Sequence, residues 1–312
     1  MRVIFLGTPD FAVPSFNALT ASRHEVVAAV TQPDRPRDRG KVSACPVKQA
    51  AQAAGVPVFQ FEKIRDGGAE VLRKLGADVM VTCAYGQILD EVLLGLTPHG
   101  VINVHASLLP AYRGSSPIQW AVINGEKITG VTTMKTSLGL DCGDIIMKSE
   151  TEILPEETAG ELFDRLAPLG AELIVKTLDA IEDGSATFTP QDESKASYYP
   201  MFRKSDGLID PKMTVAKFVD FVRGTSPWPG AFCRVGGKLL KVHRARALRA
   251  DEPCTRRLYF PGEFAVVFGR LHLALSDGLA VLEEVQPEGG KRMSGAAFAL
   301  GHADINGKTV EE

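Results

Sequence analysis

Four short runs of apolar, largely β-branched residues, at 3–6, 26–31, 79–84 and 101–104, alternate with helical patterns at 14–21, 46–54 and 69–75. Strands this apolar on both faces belong inside a sheet covered on both sides. The strand–helix–strand order makes that sheet mainly parallel, with crossover helices, in a Rossmann-like doubly wound α/β arrangement. Ligands of such sheets sit beyond the carboxyl ends of the strands, at the switch point. A helix over 159–181, opened by Glu156-Glu157-Thr158 with acidic charge at its positive end, closes this half. Residues 185–207 are rich in Ser, Thr, Pro, Gln, Asp and Tyr and lack periodicity, the pattern of a linker. After a short helix at 215–222 the chain changes to alternating runs at 231–235, 238–247, 265–267, 271–275 and 279–285, separated by Gly-Gly, Pro-Gly and Asp-Gly. Short strands with glycine turns predict a smaller C-terminal antiparallel β-barrel. The expected organisation is an α/β domain over 1–189, a linker over 190–207 and a barrel domain over 208–312.

The length of 312 residues agrees with two domains at roughly 150 residues each. Hydrophobic residues at 45% and charged residues at 23% are ordinary globular usage, which excludes a chain too polar to fold. The longest apolar runs, at 79–84 and 92–96, fall far short of the ~20 residues of a membrane span. The opening Met1-Arg2-Val3-Ile4-Phe5-Leu6-Gly7 lacks a cleavage site and reads as a first strand, which predicts a cytoplasmic protein. Five cysteines, odd in number and never spaced CxxC, argue against a disulfide framework or a zinc ribbon. The first turn, Gly7-Thr8-Pro9-Asp10-Phe11, has one glycine where a dinucleotide fingerprint has three, and Pro9 removes a backbone donor, so a nicotinamide cofactor is not expected. A monomer is the default.

Charge is unevenly divided. Residues 1–202 hold 18 Lys and Arg against 25 Asp and Glu, whereas 203–257 hold 13 against 5. An acidic half joined to a basic one suggests a polyanionic partner, although a solvated basic face would give the same count.

Candidate chemistry begins in Val101-Ile102-Asn103-Val104-His105, where an amide and an imidazole share one face at the end of a predicted strand. A second polar group lies in Ser137-Leu138-Gly139-Leu140-Asp141-Cys142-Gly143-Asp144, where glycines let the backbone turn sharply. Each alone has a plain structural explanation, a hydrogen-bonded core residue or a solvated turn. Cys142 has no neighbour that would lower its pKa and is expected to pack.

Together, Asn103-x-His105-x-Ser107-Leu108-Leu109-Pro110 and the later Asp141 resemble the tetrahydrofolate-dependent formyltransferases. Pro110-Ala111-Tyr112-Arg113-Gly114-Ser115-Ser116-Pro117, Thr31-Gln32-Pro33-Asp34-Arg35 and Pro227-Trp228-Pro229-Gly230-Ala231 resemble the branch that formylates methionyl-tRNA. The resemblance runs almost from end to end. It implies a formyltransferase fold joined to an OB-like barrel, with 10-formyltetrahydrofolate as donor and initiator methionyl-tRNA as acceptor. It also implies a catalytic set of Asn103, His105 and Asp141. Ser107, Leu108, Leu109 and Pro110 would line the folate site, with Tyr85, Gly86, Gln87, Ile88 and Leu89 near the pterin. The chemistry accounts for these residue types. An amine attacking a formyl carbon makes an oxyanion that needs donors, which Asn103 and protonated His105 supply, while Asp141 holds the imidazole and helps move the proton. No metal is called for.

Asp34-Arg35-Pro36-Arg37-Asp38-Arg39-Gly40-Lys41 sets four cations at alternate positions in a surface loop. By resemblance Arg35, Arg37, Arg39 and Lys41 enter the tRNA acceptor stem. In the barrel, Lys238, Lys241, Arg244 and Arg246 are expected to grip phosphates, with Arg249, Arg256 and Arg257 nearby. Two other readings stay open: formylation of a small amine such as glycinamide ribonucleotide or an amino-sugar nucleotide, and a tRNA- or folate-binding module without turnover.

Overall fold

Every residue of the first strand after Arg2 is buried, and the same is true of all five residues of the strand at Val79–Cys83. The computed structural model describes residues 1–36, 42–249, 252 and 258–311. In chain order the elements are β1 (Arg2–Gly7), α1 (Ala12–Thr20), β2 (Glu25–Thr31), the short pair β3 (Arg35–Pro36) and β4 (Val42–Ser43), α2 (Pro46–Ala53), β5 (Val58–Gln60) and α3 (Gly68–Arg73). Then follow β6 (Val79–Cys83), α4 (Glu91–Leu94), β7 (Val101–His105), β8 (Arg113–Gly114), α5 (Pro117–Ile123), β9 (Ile128–Lys135), β10 (Ile145–Glu152), α6 (Ala159–Glu182) and β11 (Tyr198–Tyr199).

The main sheet has seven strands in the order β10-β9-β7-β6-β1-β2-β5. Strands β7, β6, β1, β2 and β5 are parallel, whereas β9 runs antiparallel to β7 and β10 antiparallel to β9. The chain builds outward from β1 through β2 to β5 and then returns to β6 on the other side of β1, so the switch point lies between β1 and β6. There Gly7 ends β1 because a Cβ would meet the Phe5 ring at 2.8 Å, Ala12 at 2.9 Å and the Cys83 carbonyl at 3.0 Å. Helix α6 lies close against β7 and β9, since a Cβ at Gly170 would come within 3.0 Å of Val104 Cγ1.

Two strands depart from the sequence reading. Strand β9 contains Thr129, Thr132 and Thr133, all buried, and Thr133 Oγ1 sits 2.8 Å from Thr177 Oγ1. Residues that look polar thus occupy the interior because their hydroxyls are partnered. Strand β10 is the sheet's edge, and from Met147 on it alternates half-buried and exposed positions.

The chain divides into two units, one of Met1–Pro117, Ile128–Glu152 and Phe163–Tyr199, the other of Ile118–Lys127, Ile153–Leu162 and Pro200–Glu312. The segment with linker composition therefore contributes its residues up to Tyr199 to the first unit. It forms a 3-10 turn at Glu193–Lys195, and β11 pairs in parallel with β8.

The second unit contains α7 (Val215–Gly224), β12 (Ala231–Val235), β13 (Lys238–Ala247), β14 (Phe264–Val267), β15 (Arg270–Ala274), β16 (Leu279–Pro287), β17 (Met293–Ser294) and α8 (Gly295–Gly301). Its strands are antiparallel in the order β12-β13-β16-β15-β14, with β17 on β16. The chain's last residues join the two edges: Thr309 bridges Glu263 beside β14, and Glu311 bridges Arg234 of β12. That closure turns the sheet into a small barrel around Phe218, Leu240, Phe264, Leu273 and Leu282. Among the described residues no helix is long and apolar enough to cross a membrane.

Candidate active site

Strand β7 carries Asn103 and His105 to its carboxyl end, two positions apart and hence on one face. Asn103 Oδ1 accepts a hydrogen bond of 2.9 Å from Thr82 Oγ1 on the neighbouring β6. This bond fixes the amide's orientation and turns its two N–H donors away from the sheet's own partners.

His105 is buried, and its Nε2 lies 2.9 Å from the carbonyl oxygen of Tyr112. A carbonyl only accepts, so Nε2 carries the hydrogen and Nδ1 is the nitrogen left to exchange a proton. Asp141 faces that second nitrogen, with Oδ2 3.8 Å from Nδ1. The same oxygen accepts a 2.8 Å bond from the backbone N–H of Gly114. Asp141 reaches this position from the loop after β9 with a positive φ of 48°, in the left-handed region that non-glycine residues rarely adopt. The loop passes so close to the end of β9 that a Cβ at Gly143 would lie 1.7 Å from the Lys135 carbonyl oxygen.

The turn after β7 is held by the residues of the Ser107-Leu108-Leu109-Pro110 run themselves. Ser107 Oγ donates to the Ala111 carbonyl at 2.7 Å, and Thr132 Oγ1 donates to the Ser107 carbonyl at 2.6 Å while accepting from Leu109 N–H at 3.1 Å. Ser107 and Leu109 are buried, whereas Leu108 and Pro110 are partly exposed. The run after β6 divides similarly. Tyr85 and Leu89 are buried in the sheet's core, and burial pushes the Tyr85 phenol up to about 12. Gln87 is tied to the backbone of Ile64 and Phe61, while Gly86 is exposed and Ile88 is 87% exposed. The Tyr85 carbonyl accepts from Thr8 Oγ1 and Gln32 Nε2, joining the loops after β6, β1 and β2 at the switch point.

Three groups beside the site carried no signal that residue chemistry alone would rank. Tyr112 meets His105 through its backbone carbonyl and Gly114 meets Asp141 through its backbone N–H, and Gln191 lies in the segment with linker composition. Gln191 Nε2 donates to the carbonyls of Asp141 and Gly143 at 2.8 and 2.7 Å. Cys142 sits with Sγ 3.3 Å from Ser137 Oγ.

Of the loop cations, Arg35 is exposed in the β3–β4 pair, and Arg37, Arg39 and Lys41 lie outside the described residues. In the barrel, Lys238, Lys241 and Arg244 on β13 are exposed. Arg246 is engaged differently from the phosphate-gripping expectation. Its guanidinium binds Glu252 through two bonds of 2.6 and 2.7 Å and Glu283 through one of 2.8 Å. Arg246 holds the Glu252 carboxyl far below the usual carboxylate range, and Arg270 pairs with the same acid. Arg249 N–H also bonds Glu252, and Arg256 and Arg257 lie outside the described residues.

Comparison with known proteins matches residues 1–178 to the formyl transferase family model and residues 201–303 to the formyl transferase C-terminal domain. The chain is 48% identical over 304 residues to the methionyl-tRNA formyltransferase of Solibacter usitatus, covering 96% of each chain. It is 44% identical to the enzyme of that name from Agathobacter rectalis, again over 96% of each. Among solved structures, an N-formyltransferase from Helicobacter canadensis bound to folinic acid and dTDP-3-aminofucose superimposes with a TM-score of 0.68 at 16% identity, over 94% of this chain and all of that one. HypX from Aquifex aeolicus, with tetrahydrofolic acid, gives 0.63 at 18% identity over 96% of this chain and 47% of its own. These two likenesses concern the fold.

Proposed function

The chain belongs to the formyl transferase family along both of its halves, and from that premise we propose that it formylates the α-amino group of methionine esterified to initiator tRNA, with 10-formyltetrahydrofolate as donor. The observation that supports this reading most is the meeting of His105 and Asp141, brought from β7 and from a distant loop to within 3.8 Å, on the strand that carries Asn103 two positions earlier.

The donor supplies an activated formyl carbon when bound. The methionine amine attacks that carbon, and the carbonyl oxygen gathers negative charge as the centre becomes tetrahedral. Asn103 donates an N–H to that oxygen, and because Thr82 has already set the amide, little reorganisation is required at the moment of reaction. The amine must lose a proton. His105, with Nε2–H committed to Tyr112, exchanges protons through Nδ1, and Asp141 beside that nitrogen stabilises the ring when it is charged. The folate nitrogen takes up a proton as the carbon–nitrogen bond to it breaks. Exposed Gly86 and Ile88, with Leu108 and Pro110, offer the surface for the pterin and its neighbouring rings, while Ser107, Leu109, Tyr85, Gln87 and Leu89 hold that surface from beneath.

On the nucleic-acid side, Lys238, Lys241 and Arg244 contact phosphates, and Arg35, with Arg37, Arg39 and Lys41, enters the acceptor stem. Arg246 supports the strand that carries the first three. The test is a comparison of initial rates with one formyl donor and several acceptors: initiator methionyl-tRNA, glycinamide ribonucleotide and an amino-sugar nucleotide. Methionyl-tRNA should exceed the small amines by orders of magnitude in kcat/KM. A preference for a small amine would transfer the assignment to the other branch, and no transfer to any acceptor would leave a binding module.

A further inference from the structure

We propose that Arg113 and Gln191 are positioning residues for Asp141, a role that rests on the reading of Asp141 given above. Among the described residues Arg113 is the largest fully buried side chain, yet it carries a charge. Its guanidinium makes two bonds of 2.9 and 2.7 Å to the Glu193 carboxylate and one of 2.5 Å to the Tyr198 hydroxyl. The remaining donors, Nε and Nη2, both reach Gln191 Oε1, at 3.1 and 2.8 Å. A guanidinium only donates, so it selects the orientation of the Gln191 amide: the oxygen must face Arg113 and the nitrogen must face away. Facing away, Nε2 bonds the carbonyls of both Asp141 and Gly143.

Asp141 is thereby held at two ends by adjacent residues. The side chain of Arg113, through Gln191, holds its backbone, and the N–H of Gly114 holds its carboxylate at 2.8 Å. The same three-residue stretch also accepts the His105 hydrogen at Tyr112 O. Residues 112–114 therefore set the acid and the imidazole against each other. Positive φ at Asp141 is a conformation that persists only where its surroundings enforce it, and these bonds are the enforcement. Gly114 is tied into the arrangement as well. It has φ +111°, and a Cβ there would lie 2.2 Å from the Tyr199 carbonyl oxygen. An Arg side chain and a Gln from the segment with linker composition thus complete the site by way of the Asp141 backbone.

The experiment is a double-mutant cycle on the full-length enzyme, using Gln191→Leu, Asp141→Asn and their combination, with steady-state kcat and KM for both substrates. Leucine keeps the volume and deletes only the hydrogen bonds. Gln191→Leu should lower kcat about 10- to 100-fold, the scale of a displacement of about 1 Å at a reacting group, with both KM values changed less than about two-fold. In the Asp141→Asn background the same change should cost less than about two-fold, because its effect travels through the carboxylate. Arg113→Lys, which keeps charge beside Glu193 but loses the fork that orients Gln191, should behave like Gln191→Leu. If Asp141→Asn is slow but Gln191→Leu keeps the parental rate, or loses the same factor in both backgrounds, the positioning role is wrong. If Asp141→Asn itself turns over normally, the reading of Asp141 fails and this inference fails with it.

Discussion

Replacing Asn103 with alanine removes the donor aimed at the developing oxyanion and leaves the rest of β7 in place. One such donor is typically worth ~2.7–4 kcal/mol of barrier, or ~10²–10³ in rate. The cost to folding is far smaller. The lost contact is the 2.9 Å bond from Thr82, whose hydroxyl is largely buried, and an unmade bond of that kind costs about 1 kcal/mol. In a protein of this size that corresponds to roughly 2–4 °C in Tm. The two effects are therefore separable. Asn103→Ala should lose turnover by two to three orders of magnitude with the KM for folate unchanged and a well-folded melt. Thr82→Val is the companion variant: the amide remains but loses the bond that orients it, and kcat should fall only about 3- to 10-fold. Steady-state formyl transfer with saturating methionyl-tRNA and varied folate is the assay. A kcat for Asn103→Ala within two-fold of the parent would remove Asn103 from the mechanism, and a Thr82→Val enzyme slower than Asn103→Ala would show that the amide acts by some other route.

The barrel offers a contrast within one strand. Lys241→Ala with Arg244→Ala should raise KM for tRNA and flatten its salt dependence by about 1.5 to 2 in log–log slope, whereas Arg246→Ala should leave that slope alone and lower Tm. Gly143→Ala drives a Cβ into the Lys135 carbonyl and should displace the Asp141 loop, which a loss of kcat in a folded protein would report. Burial holds His243 and His272 below the usual histidine range. The unfolded chain consequently takes up protons near pH 6.5 that the folded one refuses, so this part of stability is complete above about pH 6.5 and is lost as pH falls. Thermal melts between pH 8 and pH 5 should decline, and His272→Asn should shrink the decline; an unchanged slope in that variant would contradict the assignment.

The central strands were legible because burial on both faces leaves β1, β2, β6 and β7 mostly apolar, with few polar residues such as Thr82, Asn103 and His105 among them, a signature that residue types carry openly. Barrel strands β12 and β13 were legible through glycine turns and alternation. What stayed hidden shares one physical cause, polar groups satisfied by partners far away in sequence. Thr132 in β9 is buried because Ser107 accepts its hydroxyl, and Gln191 reads as unstructured in sequence because both ends of its amide bond residues about 50 to 80 positions away. Alternation on β13 could not tell Arg244 from Arg246, since Glu252 and Glu283 reach only the latter. At the active site, residue type and strand position pointed to Asn103 and His105. The adjacency of Asp141 depends on a backbone conformation at φ +48° that composition does not announce.

The most direct measurement follows the one-carbon unit itself. Incubating the enzyme with methionyl-tRNA and a donor labelled in its formyl carbon, then hydrolysing the ester and analysing the released amino acid by mass spectrometry, should give labelled N-formylmethionine, with transfer strongly reduced in Asp141→Asn. Label that stays on the folate, or that reaches methionine as fast in the Asp141→Asn enzyme as in the parent, would contradict the account.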